Sequence, residues 1–357
     1  MQVAIAGAGA IALGYAAYLF KTGHIPTIWS PSGARTSEFV IGTPLKVTGA
    51  IEGEFNPRIC SSAQELAQAD VIVVALPAYG YRFVLDNLIP FIQARHTIII
   101  SGHLSFAALY LSKRLAERGL DIPIAAWSTT VLTCKSQSAT EIRIGAIRAK
   151  VDMAALPTRH AARVHETCIS LFGDRFLLKD DMLTLTLSNI NPQDHMGIAL
   201  TNLTRIEKGE TWGQNSNVTP MVGKLLEALD HERISIATAF GKTVRTTFDH
   251  FRLSFDVVGD SLSDISAQLV QRGSDPLGPT AIATRYVLED VPFGLVPTLR
   301  LAELAGVNVP LHESGMAILG ACYGRDFVSD NDILPEIGPL HIDTLKKLVV
   351  DGYPVRT

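Results

Sequence analysis

Between residues 184 and 203 the chain reads TLTLSNINPQDHMGIALTNL, which crowds Asn189, Asn191, Gln193, Asp194 and His195 ahead of an apolar, helix-like segment. Histidine titrates near neutrality and passes protons in either direction, so His195 is a candidate acid/base. A second stretch, ATRYVLEDVPFGLVP at 283–297, holds Arg285, Tyr286, Glu289 and Asp290. A guanidinium grips a carboxylate through two parallel bonds, and a carboxylate partner fixes the tautomer of an imidazole and stabilises its cation. These residue types suit proton transfer on a carboxylate-bearing substrate, with Arg285 on the substrate and Asp290 on His195. Spacing leaves a plainer reading open. On a helix Arg285 and Glu289 are four apart and would form a surface pair, while Arg285 and Asp290, five apart, share no stripe. His195, equally, could be one more histidine in a polar turn.

The elements that would position this chemistry begin at residue 3. QVAIAGAGAIALGYAAYLFKTG opens with the apolar strand Val3 to Ala6, turns at Gly7 and Gly9, and continues as a helix through Ile11, Tyr15, Ala16 and Leu19 toward Gly23. This is the dinucleotide fingerprint with alanine, Ala12, at its third small position. Gly7 permits the turn, Gly9 lets backbone approach a pyrophosphate, and Ala10 and Ile11 offer free N–H groups at the helix start. The same run is uncharged from residue 3 to 20, but it has no preceding Lys or Arg and is broken by glycines, so a strand, turn and helix are expected rather than a targeting or membrane segment. After the second strand, PTIWSP, an NAD-preferring chain places an acid against the ribose 2′-hydroxyl. Here Trp29, Ser30, Pro31, Ser32 and Arg35 follow instead. Ser30, Ser32 and Arg35 suit a 2′-phosphate, which predicts NADP(H) in preference to NAD(H), with NAD still admissible and Arg35 as a plain solvated loop residue the alternative.

DVIVVALP at 70–77, ending at Pro77, and HTIIISG at 96–102 are continuous apolar runs of the kind a doubly wound parallel sheet buries on both faces. AAWSTTVLTCKS, EIRIGAI and KVDMAALP are expected to extend that sheet, and PTRHAARVHETCISLFG reads as a helix closed by Gly173. From about 178 helical patterns take over, as in MVGKLLEALDHERISIATAFG at 221–241. The expected fold is α/β, a Rossmann-type domain over 1–182 followed by a mostly helical substrate domain over 183–357. His195 falls at the join, where a residue entering the second domain can face a nicotinamide bound by the first.

Composition narrows the partners. The 357 residues are 47% hydrophobic and 18% charged, with a formal net charge of −4, so no basic footprint for nucleic acid is present. Cys60, Cys134, Cys168 and Cys322 are widely separated, with no zinc-ligand spacing and no disulfide density, which suits the cytoplasm. No metal site and no membrane association are expected, and the sequence leaves a homodimer open.

SNINPQDHMGIALTNL, DHERISIATAFG and TRYVLEDVPFGLVP, together with AGAGAIALGYAAYL, resemble the opine dehydrogenases, the group containing octopine and nopaline dehydrogenases and N-(1-carboxyethyl)-norvaline dehydrogenase. The likeness runs from the glycine turn to about residue 313. The family's Asn-x-Asn-x-x-x-His segment is matched by Asn189, Asn191 and His195, and its Arg-Tyr…Glu-Asp segment by Arg285, Tyr286, Glu289 and Asp290. The resemblance implies an NAD(P)H-dependent reductive condensation of an amino acid with a 2-oxo acid, pyruvate foremost, and the reverse oxidation. It implies that His195 is the acid/base, Asp290 its partner, and Arg285 and Asn191 substrate ligands. Met196 stands where many relatives have proline, and GETWGQNSNVT at 209–219 departs from the aromatic-rich segment of some members. Two other functions share the architecture: an NADP-dependent 2-oxo/2-hydroxy acid dehydrogenase without condensation, and a nucleotide sensor without turnover.

Overall fold

The computed structural model describes residues 1–338 and 341–355. It divides into two compact units, Met1–Thr186 with Ile333–Thr357, and Leu187–Asp332.

The first unit is built on two sheets. Its strands are β1 (Gln2–Ala6), β2 (Ile25–Trp29), β3 (Leu45–Gly49), β4 (Gly53–Phe55), β5 (Arg58–Ile59) and β6 (Val71–Val74). They are followed by β7 (Thr97–Ile100), β8 (Ile124–Trp127), β9 (Leu132–Ser136), β10 (Glu141–Ile147), β11 (Val151–Leu156) and β12 (Phe176–Leu178). The main sheet runs β12-β11-β8-β7-β6-β1-β2-β5. All its pairings are parallel except β11 with β8. The chain winds outward from β1 to β2 on one side and then crosses to β6 on the other, so the strand order reverses beside β1. In doubly wound sheets that switch point is where ligands bind, at the carboxyl ends of the strands.

The uncharged run at residues 3–20 folds as β1, a turn and the helix Ala10–Lys21. The helix buries Ala12, Leu13, Tyr15, Ala16 and Leu19, and with Val3 and Ile5 they belong to the core of the unit. Two sequence expectations need correction. EIRIGAI and the second half of AAWSTTVLTCKS do not extend the main sheet. As β10 and β9 they form a second sheet, β4-β3-β10-β9. The reason is visible in the burial: β8 and β11 are buried at every residue, as a strand covered on both faces must be, whereas β10 alternates buried Ile142 and Ile144 with exposed neighbours. The second correction concerns the end of the chain. Residues from 333 onward group with the first unit, not with the helical one; residues 339, 340, 356 and 357 of the 183–357 expectation lie outside the described part. The helix Ile342–Asp351 buries Leu345, Leu348 and Val349 and packs on β11, and the Tyr353 N–H donates to Ser112 Oγ at 2.9 Å.

The second unit is helical. Its central element, Asn191–Thr201, packs against Pro220–Ala239, Arg285–Leu288 and Pro310–Tyr323. Close approach is permitted by glycine: a Cβ on Gly197 would meet Leu226 at 2.5 Å, and one on Gly315 would meet the Met196 sulfur at 2.5 Å. Surrounded this way, the central helix buries Pro192, Gln193, Asp194, Met196, Ile198 and Ala199. Among the described residues no helix is long and apolar enough to cross a membrane, and no cluster of three or more His, Cys, Asp or Glu is placed to hold a metal ion.

Candidate active site

His195 sits on the helix Asn191–Thr201, not in a turn. Asn189 Oδ1 accepts the Asn191 N–H at 3.1 Å just ahead of it, and Pro192 takes an early position where no intrahelical N–H is needed. Asn191 and His195 are four residues apart, so they share one helix face, and both stay partly open while the residues between them are buried.

The imidazole is held on two sides. Its Nδ1 lies 2.8 Å from Asp290 Oδ2, in a pair with side-chain exposures of 15% and 1%. With Asp290 ionised, Nδ1–H is the donor, which leaves Nε2 as the atom able to accept or give a proton. The Tyr286 ring stacks on the imidazole, centroids 3.7 Å apart and planes 9° from parallel. Tyr286 donates its hydroxyl to Gln214 Oε1, and burial pushes its phenol up to about 12.

Arg285 reaches the same place by a route that helix spacing does not predict. Its Nε is 3.5 Å from Glu289 Oε2 and also 3.8 Å from Asp290 Oδ2. The α-helix Arg285–Leu288 ends at Glu289, whose backbone departs to φ −119°, and the chain continues into a wider π-helical turn, Val291–Leu295. The rule separating positions five apart holds only along a regular α-helix. Arg285 is 57% exposed, so its guanidinium is accessible to a substrate.

A second histidine–carboxylate pair shows why exposure decides. His312 Nδ1 lies 2.7 Å from Glu232 Oε2, and the same carboxylate accepts the Leu311 and His312 N–H groups at the start of the helix Pro310–Tyr323. His312 is fully buried, so it closes a helix end and meets no substrate. His195 has the same partner chemistry and an open edge.

The opposite side of the His195 helix carries a buried polar network. Asp230 Oδ1 accepts from Gln193 Nε2 at 3.1 Å and from Arg233 Nε at 3.0 Å, while Asp230 Oδ2 accepts the Thr247 N–H at 2.8 Å. Arg233 also donates to the Leu187 and Arg245 carbonyls. Sequence reasoning passed over this network; its only signal was Asp230 and Arg233 three apart inside an apolar helical pattern. Asp194 lies beside it. Burial first, then the Asp230 carboxylate, push the Asp194 carboxyl from 3.8 up to about 8, against the pull of Arg233. The folded protein therefore holds a proton there that the unfolded chain releases near 3.8. Stability from this group is complete below that value and is lost as pH rises through about 8. Asp194→Asn is expected to remove this loss, so that its melting temperature drops less than the wild type's between pH 5 and pH 8.5. Parallel drops in the two proteins would contradict the assignment.

In the first unit, the residues expected to hold a dinucleotide gather at the carboxyl ends of the adjacent strands β6, β1 and β2. The Gly7 N–H donates to the Trp29 carbonyl at 2.8 Å, which ties the glycine turn to the end of β2 and hence to Ser30. Gly7 has φ +134°, and a Cβ there would collide with the Ala75 carbonyl oxygen at the end of β6. Gly9 caps the helix with no side chain, and a Cβ on it would meet nothing within 4 Å. The backbone at Gly9, where the helix starts, is thus open to close approach, as a pyrophosphate would need. Arg35 is exposed on the turn after Ser30 and makes no ion pair among the described residues, and Pro77 is exposed three residues beyond β6.

A family described as NAD/NADP octopine/nopaline dehydrogenase, alpha-helical domain, matches residues 178–323, and one described as Ketopantoate reductase PanE/ApbA matches residues 3–102. An opine dehydrogenase of Arthrobacter sp. (strain 1C) is 28% identical over 94% of each chain. Over nearly its whole length the chain is thus similar to the opine dehydrogenases. It is also similar to a vitopine synthase of Allorhizobium ampelinum, at 24% identity over 88% of each chain. A solved octopine dehydrogenase with NADH and L-arginine shares its fold, with a TM-score of 0.80 at 14% identity over 98% of each chain. A yersinopine dehydrogenase with NADP⁺ bound does so with a TM-score of 0.70 at 16% identity. The helical model spans both segments of the site, with His195 in one and Arg285 to Asp290 in the other, and it therefore covers the residues assembled above.

Proposed function

We propose that this NAD(P)-dependent oxidoreductase joins the amino group of an amino acid to pyruvate, with His195 as acid/base, Asp290 as its partner, and Arg285 and Asn191 on the substrates. The amine nitrogen attacks the oxo-acid carbonyl carbon, water leaves, and the C=N bond gains one hydride and one proton. Gly7, Gly9, Ala10, Ile11, Ser30, Arg35 and Pro77 would hold the dinucleotide, whose nicotinamide would supply the hydride when bound. His195 Nε2 delivers and takes up protons at the reacting centre, while Asp290 carries the balancing charge for the imidazolium. Arg285 grips the oxo-acid carboxylate, and Asn191, on the same helix face as His195, orients the substrate. The observation that carries this reading is the 2.8 Å His195–Asp290 contact on an open helix face with Arg285 beside it.

Ser30 and the exposed Arg35 beyond β2 support NADPH as the preferred form, since the sequence there carries no acid to meet a ribose hydroxyl. The test is a screen of NADPH oxidation with pyruvate, 2-oxoglutarate or oxaloacetate, each with and without a panel of amino acids. Oxidation only when both substrates are present is expected; oxidation by an oxo acid alone would favour the simple 2-hydroxy acid dehydrogenase.

Arg285→Lys retains the charge but loses the planar fork. The oxo-acid KM is expected to rise about tenfold or more, the scale of one lost charged hydrogen bond, with cofactor Kd unchanged. An unaltered oxo-acid KM would remove Arg285 from that role.

A further inference from the structure

We propose that Tyr286 is a positioning residue that sets the plane of the His195 imidazole, with Gln214 anchoring it from the 209–219 segment. The proposal rests on His195 acting as the acid/base. A single in-plane bond from Nδ1 to Asp290 fixes one edge of the imidazole but leaves it free to tilt about that bond. A second ring lying face to face with it, centroids 3.7 Å apart and 9° from parallel, removes the tilt and holds the Nε2 lone pair on one line. The phenol face is also electron-rich, so it favours the imidazolium form.

Tyr286 is itself held at its backbone and at the tip of its ring. Its backbone N–H donates to Thr284 Oγ1 at 3.3 Å, and its phenol hydroxyl donates to Gln214 Oε1. Gln214 is fixed in turn: its own N–H donates to the Pro276 carbonyl at 2.7 Å, and the next residue, Asn215, donates its N–H to Asp275 Oδ1 at 2.8 Å and its side-chain amide to the Ser274 carbonyl at 2.8 Å. A chain of bonds thus runs from the 274–276 segment through Gln214 and Tyr286 to the face of the imidazole. The part of the sequence that departs from the aromatic-rich segment of some relatives, 209–219, is the part that sets this ring.

The test compares Tyr286→Leu with Tyr286→Phe, with His195→Ala alongside. A misdirected proton-transfer group costs on the order of 10²-fold. The leucine variant is expected to lose about that much kcat while cofactor Kd and oxo-acid KM stay near wild type, and the phenylalanine variant, which keeps the ring face, is expected to recover most of it. Wild-type kcat in the leucine variant, or equal losses in leucine and phenylalanine variants, overturns the proposal. Tyr286→Met, an unbranched filler without a ring, gives the same readout where the leucine variant does not fold. Normal turnover in His195→Ala would instead sink the acid/base reading itself, so the two failures are separable.

Discussion

Replacing His195 with alanine is expected to lower kcat by about 10²–10⁴-fold, the usual worth of a positioned general acid/base, while NADPH affinity changes little. The structure sets the terms. The imidazole has one nitrogen committed to the nearly fully buried Asp290 and one edge open, so its removal takes away the proton carrier. Asp290→Asn keeps the shape but removes the charge that balances the imidazolium, and it should fall in the same range. Because the pair acts as a unit, the double variant should be little worse than His195→Ala alone. A structural histidine would show the opposite pattern, a lower melting temperature with near-normal kcat in the folded fraction. Both quantities can be read on one preparation.

Arg35→Ala is expected to weaken NADPH binding by about 1.5–3 kcal/mol, the scale of a hydrogen bond between charged groups, and to leave NADH binding almost unchanged. The effect is selective because the 2′-phosphate is the group by which the two cofactors differ, and Arg35 lies exposed on the turn beyond β2 where that phosphate would sit. Equal losses for the two cofactors, or a wild-type preference for NADH, would contradict it. Isothermal titration with each cofactor measures both.

The glycine turn was legible in the sequence because local rules suffice for it: a strand, a positive-φ glycine tight against a neighbouring carbonyl, and a helix with small residues on its packed face. The membership of β9 and β10 was not, since an apolar run shows that a strand is covered but not which sheet covers it; only the alternation in β10 hints at a half-open sheet. The helix Ile342–Asp351 carries an ordinary amphipathic pattern that fits either unit, so its return to β11 could not be read. The His195–Asp290 contact spans 95 positions, and no spacing rule encodes it; the family motifs supplied it. The stack of Tyr286 on His195 joins two helices far apart in the chain and was equally beyond any spacing rule, and the approach of Arg285 to Asp290 was missed because helix periodicity was applied across Glu289, where the helix ends.

Reductive condensation makes a new bond between two substrates, and the product reports on it directly. Incubate the enzyme with NADPH, pyruvate and an amino acid whose amino nitrogen carries a heavy isotope, and weigh the product by mass spectrometry. The expected product has the mass of amino acid plus pyruvate, less one water and plus two hydrogens, and retains the heavy nitrogen. An unlabelled 2-hydroxy acid as the reduced product would contradict it.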